Sequence, residues 1–542
     1  MNEDKLIGKG TWLDKIAYTL IEREKELGRT LNSILVESGL GASGLPHIGS
    51  IGDAVRAFGI TLALKNMGYT AELIAFSDDM DGLRAVPSGF PLWLNEYVGR
   101  PVSKIPDPIG GCHSSFGAHM SGLLLDALDK MNIKYKFLSA NEIYSNGVLA
   151  KEIDTLLKKS SLLGRKISMM VGQQKYTENI PYSPICKMCG RLYVANAYEY
   201  IPDEGRVVYT CSGGTIGRRF VKGCGFNGEA HVQRGDGKLA WKVEFAARWR
   251  ALDIRFEAYG KDILDSVRIN DWVASEILGF PHPMHVKYEL FLDKIGKKIS
   301  KSSGNVITPQ MWLKYGTPES LLLLLYKRIT GTRQVGIDDI PSLMDEYDLY
   351  EDLYFGKQRE SNLAKLTKIK GVYEYINQLR PREKLLMHVP YRLLAQQASL
   401  FPPDENRSSK IFSRLLKYGI AKEKTPEILQ RIELATHWAD DQQASVRETT
   451  DTELNEIQIL AIRQILERIR SLIGKEDEPE TPNRLQSEVF EIARGVGLDP
   501  RELFKLLYRI LIGGDRGPKI GNYLVDLGLE RAYQIISKYS AR

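Results

Sequence analysis

The sequence predicts an α/β protein: a Rossmann-like catalytic domain with a zinc-containing insertion, followed by an all-α C-terminal region. Three observations predict it. A strand, a glycine-rich loop, a helix and a second strand follow one another between residues 34 and 79. Four of the five cysteines fall between residues 186 and 224. Beyond about residue 320, apolar residues recur at three-and-four spacing with almost no strand signal. The 542 residues suit three to four domains at roughly 150 residues each. They divide as 1–150, the first half of the catalytic domain; 151–240, the connective insertion; 241–320, the second catalytic half; and 321–542, the helical region.

Each element has a local cause. Ile34-Leu35-Val36 reads as a short buried strand, followed by Gly39-Leu40-Gly41-Ala42-Ser43-Gly44. A helix runs from about Pro46 to Met67, with Gly68 as its stop. Leu73-Ile74-Ala75-Phe76 is a second strand, ending in Ser77-Asp78-Asp79. This is one half of a doubly wound nucleotide-binding fold, with its loop at the carboxyl end of the strand, where such sheets bind ligands. From about 150 to 240 cysteines and glycines break the pattern, as an insertion does. Alternation returns at Trp241, and 284–293 reads as a strand entering a turn. Thr317-Pro318-Glu319 starts a helix, with a cap residue and then proline. Loops at 402–406 and 475–482 divide the helical half.

Composition narrows the function classes. With 43% hydrophobic and 26% charged residues, disorder, collagen and coiled coil are poor descriptions of the whole chain. The longest aliphatic run, 321–325, is far short of the ~20 residues of a membrane span. Met1-Asn2-Glu3-Asp4-Lys5 lacks the apolar core of a signal peptide, so a cytoplasmic protein with no membrane partner is expected. Five cysteines are too few for a disulfide scaffold, and their clustering points to a metal site in a reducing compartment. The net charge of +6 permits a polyanionic partner without demanding one.

Two loops carry phosphate chemistry. At the first, Ser43-Gly44-Leu45-Pro46-His47-Ile48-Gly49-Ser50 places free N–H groups and a positive dipole end where phosphate binds. Glycines admit a base or a phosphate close to the backbone, and His47 adds an N–H donor. A histidine here can equally serve as a simple cap. Residues 39–44 also match the dinucleotide fingerprint Gly-x-Gly-x-x-Gly, which does not explain Pro46 and His47. At the second, Gly296-Lys297-Lys298-Ile299-Ser300-Lys301-Ser302-Ser303-Gly304-Asn305 is cationic and rich in hydroxyls. Its lysines can neutralise a leaving pyrophosphate without proton transfer, although a solvated turn has the same composition.

Cys186-Lys187-Met188-Cys189 is a metal knuckle by spacing; 21 residues separate Cys189 from Cys211, and 12 separate Cys211 from Cys224. Four thiolates make a closed, structural zinc site, with His231 as the substitute fourth ligand. Cys112, beside His113, reads as a buried or incidental thiol and not as a nucleophile. In the helical half, Arg407, Lys410, Arg414 and Lys417 form a basic stripe opposite Ile411, Phe412, Leu415 and Leu416. Such a stripe tracks an RNA backbone or is an ordinary solvated face.

The two loops together resemble the HIGH and KMSKS signatures of class I aminoacyl-tRNA synthetases. His47-Ile48-Gly49-Ser50 departs at its last position, and Lys298-Ile299-Ser300-Lys301-Ser302 at its second. Four further runs look like the class I lysyl-tRNA synthetases: 37–47, Ser77-Asp78-Asp79-Met80-Asp81-Gly82-Leu83-Arg84, Ser115-Phe116-Gly117-Ala118-His119, and Tyr288-Glu289-Leu290-Phe291-Leu292-Asp293. The resemblance covers about 10–350 and continues loosely to 513–518. It implies ATP-dependent attachment of L-lysine to tRNA(Lys) through a lysyl-adenylate, with Mg2+ accompanying ATP, structural Zn2+, and no DNA partner. It implies catalytic roles for His47, Lys298 and Lys301, with Ser43, Gly44, Gly49, Ser300 and Ser302 also on ATP.

For the amino acid it implies Gly39, Gly41, Asp79, Asp81, Trp241, Asp262 and Tyr288. An ammonium substrate wants carboxylates and an aromatic wall for its stem, which suits this set. It also implies a stem-contact and anticodon-binding role for 321–542. Two positions depart from the family: Ile263 follows Gly260-Lys261-Asp262 where a histidine is expected, and Phe245 stands for a tryptophan. The rivals are a class I synthetase for methionine, cysteine or glutamate, and a non-catalytic tRNA-binding paralogue. The acidic run at 78–81 argues against glutamate.

Overall fold

The computed structural model describes residues 7–540 except 179, 290, 300–305, 402, 404, 418, 448–453, 477 and 513–518. The chain divides into two compact units, one of 1–313 with 317–385 and one of 314–316 with 386–542. In the first, α1 (Trp12–Glu26) precedes β1 (Ile34–Leu40), α2 (Ile48–Asn66), β2 (Ala71–Ser77), α3 (Phe116–Lys130) and β3 (Lys136–Ser139). Seven short strands follow: β4 (Tyr182–Pro184), β5 (Asn196–Ile201), β6 (Arg206–Thr210), β7 (Gly213–Ile216), β8 (Arg219–Lys222), β9 (Asn227–His231) and β10 (Gly237–Leu239). The large sheet resumes through α4 (Trp241–Ala251), β11 (Ile254–Gly260), α5 (Leu264–Trp272) and β12 (Met284–Tyr288).

Five strands pair in parallel in the order β12-β11-β1-β2-β3. Counted within this sheet alone, that is the doubly wound order 3-2-1-4-5, whose switch point lies between β1 and β11. The central strands are buried on both faces, as a covered parallel sheet requires: Val36, Leu73 and Phe256 lie on one face, and Ile74 and Phe76 share the other with the buried carboxyl groups of Glu37 and Glu257. Helix α2 is buried almost all round, from Ile48 to Leu64, so it is a core helix and not an amphipathic one. Gly59 permits this crowding. A Cβ there would lie 2.8 Å from both Leu13 of α1 and Tyr326.

The seven short strands form small antiparallel sheets, β5-β6-β9, β7-β8 and β10-β4. The elements of the second unit, from Tyr391–Leu400 to Leu529–Ser537, are helices among the described residues. Their core gathers Ile465, Leu485, Val489, Leu507 and Tyr523. Among the described residues no helix is long and apolar enough to cross a membrane. In the basic stripe, Arg407 is buried and paired with Asp440, and Arg414 is paired with Asp526. Lys410 and Lys417 are the exposed pair.

Candidate active site and metal centres

A cavity of about 280 Å3 opens at the switch point. Its wall is built from the ends of β1 and β11, the start of α2, the start of α4 and the segment after β12. Helix α2 begins where His47, extended at φ −126°, accepts through Nδ1 from the N–H groups of Gly49 (3.0 Å) and Ser50 (3.2 Å). With Nδ1 accepting, a neutral ring carries its proton on Nε2 and is a donor there. Gly49 is required by this cap, because a Cβ would lie 2.7 Å from His47 Cε1.

The second loop converges on the same place. Lys298 lines the cavity, and its ammonium lies 2.9 Å from Asp262. Ile299 N–H donates to Phe291 C=O (3.2 Å), which fixes the entry to the loop beside β12. Beyond it, Ile307 C=O accepts from Ile48 N–H at 3.0 Å, so the exit returns to the first residue of α2. Ser300, Lys301 and Ser302 lie outside the described residues.

The structure brings Gly39, Gly41, His47, Gly49, Trp241, Asp262, Tyr288 and Lys298 into one lining. Ser43 and Gly44 sit upstream in the loop and do not line it. Two acidic candidates are spent elsewhere. Asp79 accepts from Ser139 Oγ (2.6 Å) and Asn141 N–H (2.8 Å), on the far side of β2 from the cavity. Asp81 holds the Trp241 indole N–H (3.0 Å) and pairs with buried Lys238, which also reaches Glu244 (2.9 Å). Its place is under the aromatic wall. Tyr288 donates its hydroxyl to Asp53 and carries the Arg56 guanidinium 4.4 Å over its ring.

Asp78, not Asp79, faces the cavity, because neighbouring residues at a strand end point to opposite sides. It belongs to a buried cluster that sequence reasoning did not single out. Arg248 of α4 is 2% exposed and pairs with Glu37 of β1, with Asp78 (3.3 Å) and with Glu257 of β11 (3.5 Å). Three carboxylates thus meet one guanidinium. Burial, only partly offset by Arg248, raises Asp78 to about 7 and holds Glu37 well above the usual carboxylate range. Trp241 and Phe245, with ring centroids 5.4 Å apart, wall the same space. Ile263 also lines it, as a purely apolar contact.

The four cysteines meet. Cys186 Sγ lies 3.6 Å from Cys224 Sγ, and Cys189 Sγ lies 3.8 Å from Cys211 Sγ. Zinc–sulfur bonds of about 2.3 Å place tetrahedral sulfurs about 3.8 Å apart, so the donor set fits zinc. Cys224 N–H also reaches Cys211 Sγ (3.4 Å), the outer support a thiolate site needs. His231 is not part of this group.

A second group was missed by sequence. Asp107, Cys112, His113 and His119 bring one ligand atom each within 4.8 Å of all the others. Cys112 Sγ lies 3.1 Å from His113 Nδ1 and 3.5 Å from His119 Nδ1, which is itself 3.0 Å from Asp107. The adjacent Cys-His pair was the available signal, but its ligand spacing follows no familiar pattern.

Parallel strands in this order, with a histidine-capped helix and a lysine loop at the switch point, form the class I synthetase arrangement. Residues 10–378 match the model of the family described as tRNA synthetases class I (K), and the chain belongs to that family. It is 50% identical over 533 residues to a lysine–tRNA ligase of Cenarchaeum symbiosum (strain A), covering 98% of this chain and 99% of that one. It is 31% identical to a lysine–tRNA ligase of Rickettsia felis, over 97% and 98% of the two chains. A solved glutamate–tRNA ligase from Elizabethkingia meningosepticum aligns over 94% of this chain and 99% of that one, at 12% identity and a TM-score of 0.34, too distant to carry an argument.

Proposed function

We propose that the protein is an ATP-dependent lysine–tRNA ligase of class I type, acting in the cytoplasm on L-lysine and tRNA(Lys). The observation that carries this reading is the meeting at one cleft of His47 to Ser50 with Lys298 and Ile299, the second loop returning at Ile307 to the start of α2, beside an excess of buried carboxyl groups. Lysine's carboxylate attacks the α-phosphate of ATP in line; pyrophosphate leaves and lysyl-adenylate remains. The 2′-hydroxyl of the tRNA's terminal adenosine then takes the acyl group and releases AMP. His47 Nε2 and the free N–H groups of α2 hold the phosphates, with Ser43, Gly44 and Gly49 shaping the loop. Lys298 and Lys301 meet charge that develops in the transition state, and Ser300 and Ser302 bind phosphate oxygens. Magnesium enters with ATP as part of the substrate.

The ammonium sits against Asp78 and Glu257, where a second positive charge answers the surplus of carboxyl groups around Arg248. Trp241 and Phe245 take the aliphatic stem. Asp79 and Asp81 act at one remove, Asp81 by fixing Trp241. Gly39 and Gly41 admit the amino acid's head, and Asp262 and Tyr288 close the opposite wall. A second hollow shares Trp241 with the cleft and runs past Lys242, Arg84, Tyr176 and Tyr193. Its aromatic and cationic lining suits the single-stranded tRNA end.

Residues 1–150 and 241–320 act as the two catalytic halves, 151–240 as a zinc-stabilised insertion, and 321–542 as an all-α stem-contact and anticodon-binding region. One zinc belongs to Cys186, Cys189, Cys211 and Cys224, and a second to Asp107, Cys112, His113 and His119. Both are structural. Pyrophosphate exchange with each of the twenty amino acids tests the reading. Exchange that depends on lysine alone is expected; exchange with methionine, cysteine or glutamate, or with none, overturns it.

A further inference from the structure

Where the end of α5 meets the start of β12 lies a third group of ligating side chains. Asp271 stands at the end of α5, His282 precedes β12 and His285 lies within it. One ligand atom from each falls within 4.8 Å of the other two. We propose that these three residues bind a zinc-class divalent ion that fastens β12 to α5.

The distances suit such an ion. His285 Nε2 lies 2.9 Å from Asp271 Oδ1, and His282 Nδ1 lies 3.7 Å from the same oxygen. Around a tetrahedral ion with bonds of about 2.0–2.1 Å, neighbouring ligand atoms stand about 3.3 Å apart, midway between those values. The orientation of His285 also suits it. Its Nδ1 lies 3.0 Å from the Glu257 carbonyl and donates to it, so Nε2 is the nitrogen that meets Asp271, through a proton or through an ion in the proton's place. A backbone carbonyl on the other ring nitrogen is how metal-bound imidazoles are held. The two imidazoles stand parallel, 4° apart in plane with centroids 5.7 Å apart.

The neighbourhood is partly dehydrated on one side. Trp249 and Tyr259 pack their rings 5.0 and 5.6 Å from His285, whose side chain is 10% exposed. His282 is 38% exposed, which leaves an entry path and room for water as the fourth ligand. Two imidazoles and one carboxylate select zinc, cobalt or nickel over magnesium and calcium, which prefer all-oxygen sites. On binding, His282 carries its proton on Nε2 in place of Nδ1, which now faces the Pro283 carbonyl 2.8 Å away and is freed to ligate.

The consequence is mechanical. Helix α5 continues from the Lys261–Ile263 wall, and β12 ends at Tyr288, so both elements reach the pocket from this point. An ion here braces two pocket walls from behind without touching substrate.

Cobalt titration of the full-length chain tests the proposal without reference to activity. Thiolate ligation gives intense charge-transfer absorption, which a site of imidazole and carboxylate lacks. His282→Ala, at a half-exposed position, is expected to bind one fewer cobalt equivalent while the thiolate bands remain unchanged. Asp271→Asn should lose the same equivalent, and added zinc should raise the Tm of the unaltered protein more than that of either variant. Retention of the full equivalent in both variants overturns the proposal. So does loss of that equivalent only together with the thiolate bands.

Discussion

The large parallel sheet and the cysteine-bearing insertion are both β structures of one compact unit, yet they differ in how much core each can enclose by itself. Strands β1, β2 and β11 are covered by α2, on which α1 packs, and by α4 at β11, and most of their side chains are buried. The insertion's sheets have two or three strands, too few to enclose a core of comparable depth. There Cys186 and Cys211, fully buried beside Tyr209 and Val194, converge where a larger domain would place leucines. In one region packing positions backbone groups for chemistry. In the other, the buried residues join the same cluster as Ile74, Phe76 and Ile254, and the proposed zinc would add the tie that such small sheets lack.

The comparison breaks most sharply on Lys301→Ala. Adenylate formation should slow by about a hundredfold or more, since a cation that meets transition-state charge contributes to rate over binding. Melting temperature and tRNA affinity should hold, as measured by calorimetry and filter binding. Cys189→Ser should do the reverse. One zinc should be lost, and proteolysis within 182–239 should accelerate, while lysine-dependent exchange stays within about tenfold of the parent. If Cys189→Ser abolishes exchange outright, the insertion and the catalytic sheet are one cooperative unit and the contrast fails.

Two smaller effects sharpen the catalytic side. Ile263→His restores a polar group to the pocket wall, and one hydrogen bond to a charged group contributes about 1.5–3 kcal/mol. The Michaelis constant for lysine should fall by about tenfold with turnover nearly unchanged, the pattern of a ground-state contact. The pH profile is smaller again. Burial holds Asp78 protonated below about 7, with Arg248, Glu37, Glu257, Asp81, Glu244 and Lys238 around it. Ionisation above that value favours an ammonium, so the Michaelis constant for lysine should fall several-fold from pH 6 to pH 8. Asp78→Asn should flatten that profile; an unchanged slope assigns the titration to another group.

The sequence made the first half of the site readable because its signals are local. Period, glycine loop and cap put α2 within two residues of Ile48–Asn66, and Thr317-Pro318 marked the helix Pro318–Tyr326. Convergence of the two signature loops came from resemblance, since residues 250 apart carry no local trace of contact. Strand-end orientation was the harder matter. Asp78, Asp79 and Asp81 look alike in sequence, and only the direction of β2 sends the first to the cavity and the second to Ser139. The Arg248 cluster draws on β1, β2, α4 and β11, and the Asp81–Lys238 pair spans 157 residues. Such networks depend on tertiary placement and leave no spacing to read.

The Arg248 cluster also limits how the pocket can be recoded. Trimming Trp241 or Phe245 would enlarge the space, but the buried carboxyl groups around Arg248 would remain. A neutral guest would then leave a buried carboxyl without a partner, at a cost of about 1–3 kcal/mol. Volume and charge have to be altered together: a wall substitution for a new amino acid needs Asp78→Asn or Glu257→Gln beside it. Variants selected for a neutral amino acid should carry changes in both classes of residue, even where the guest touches only the wall.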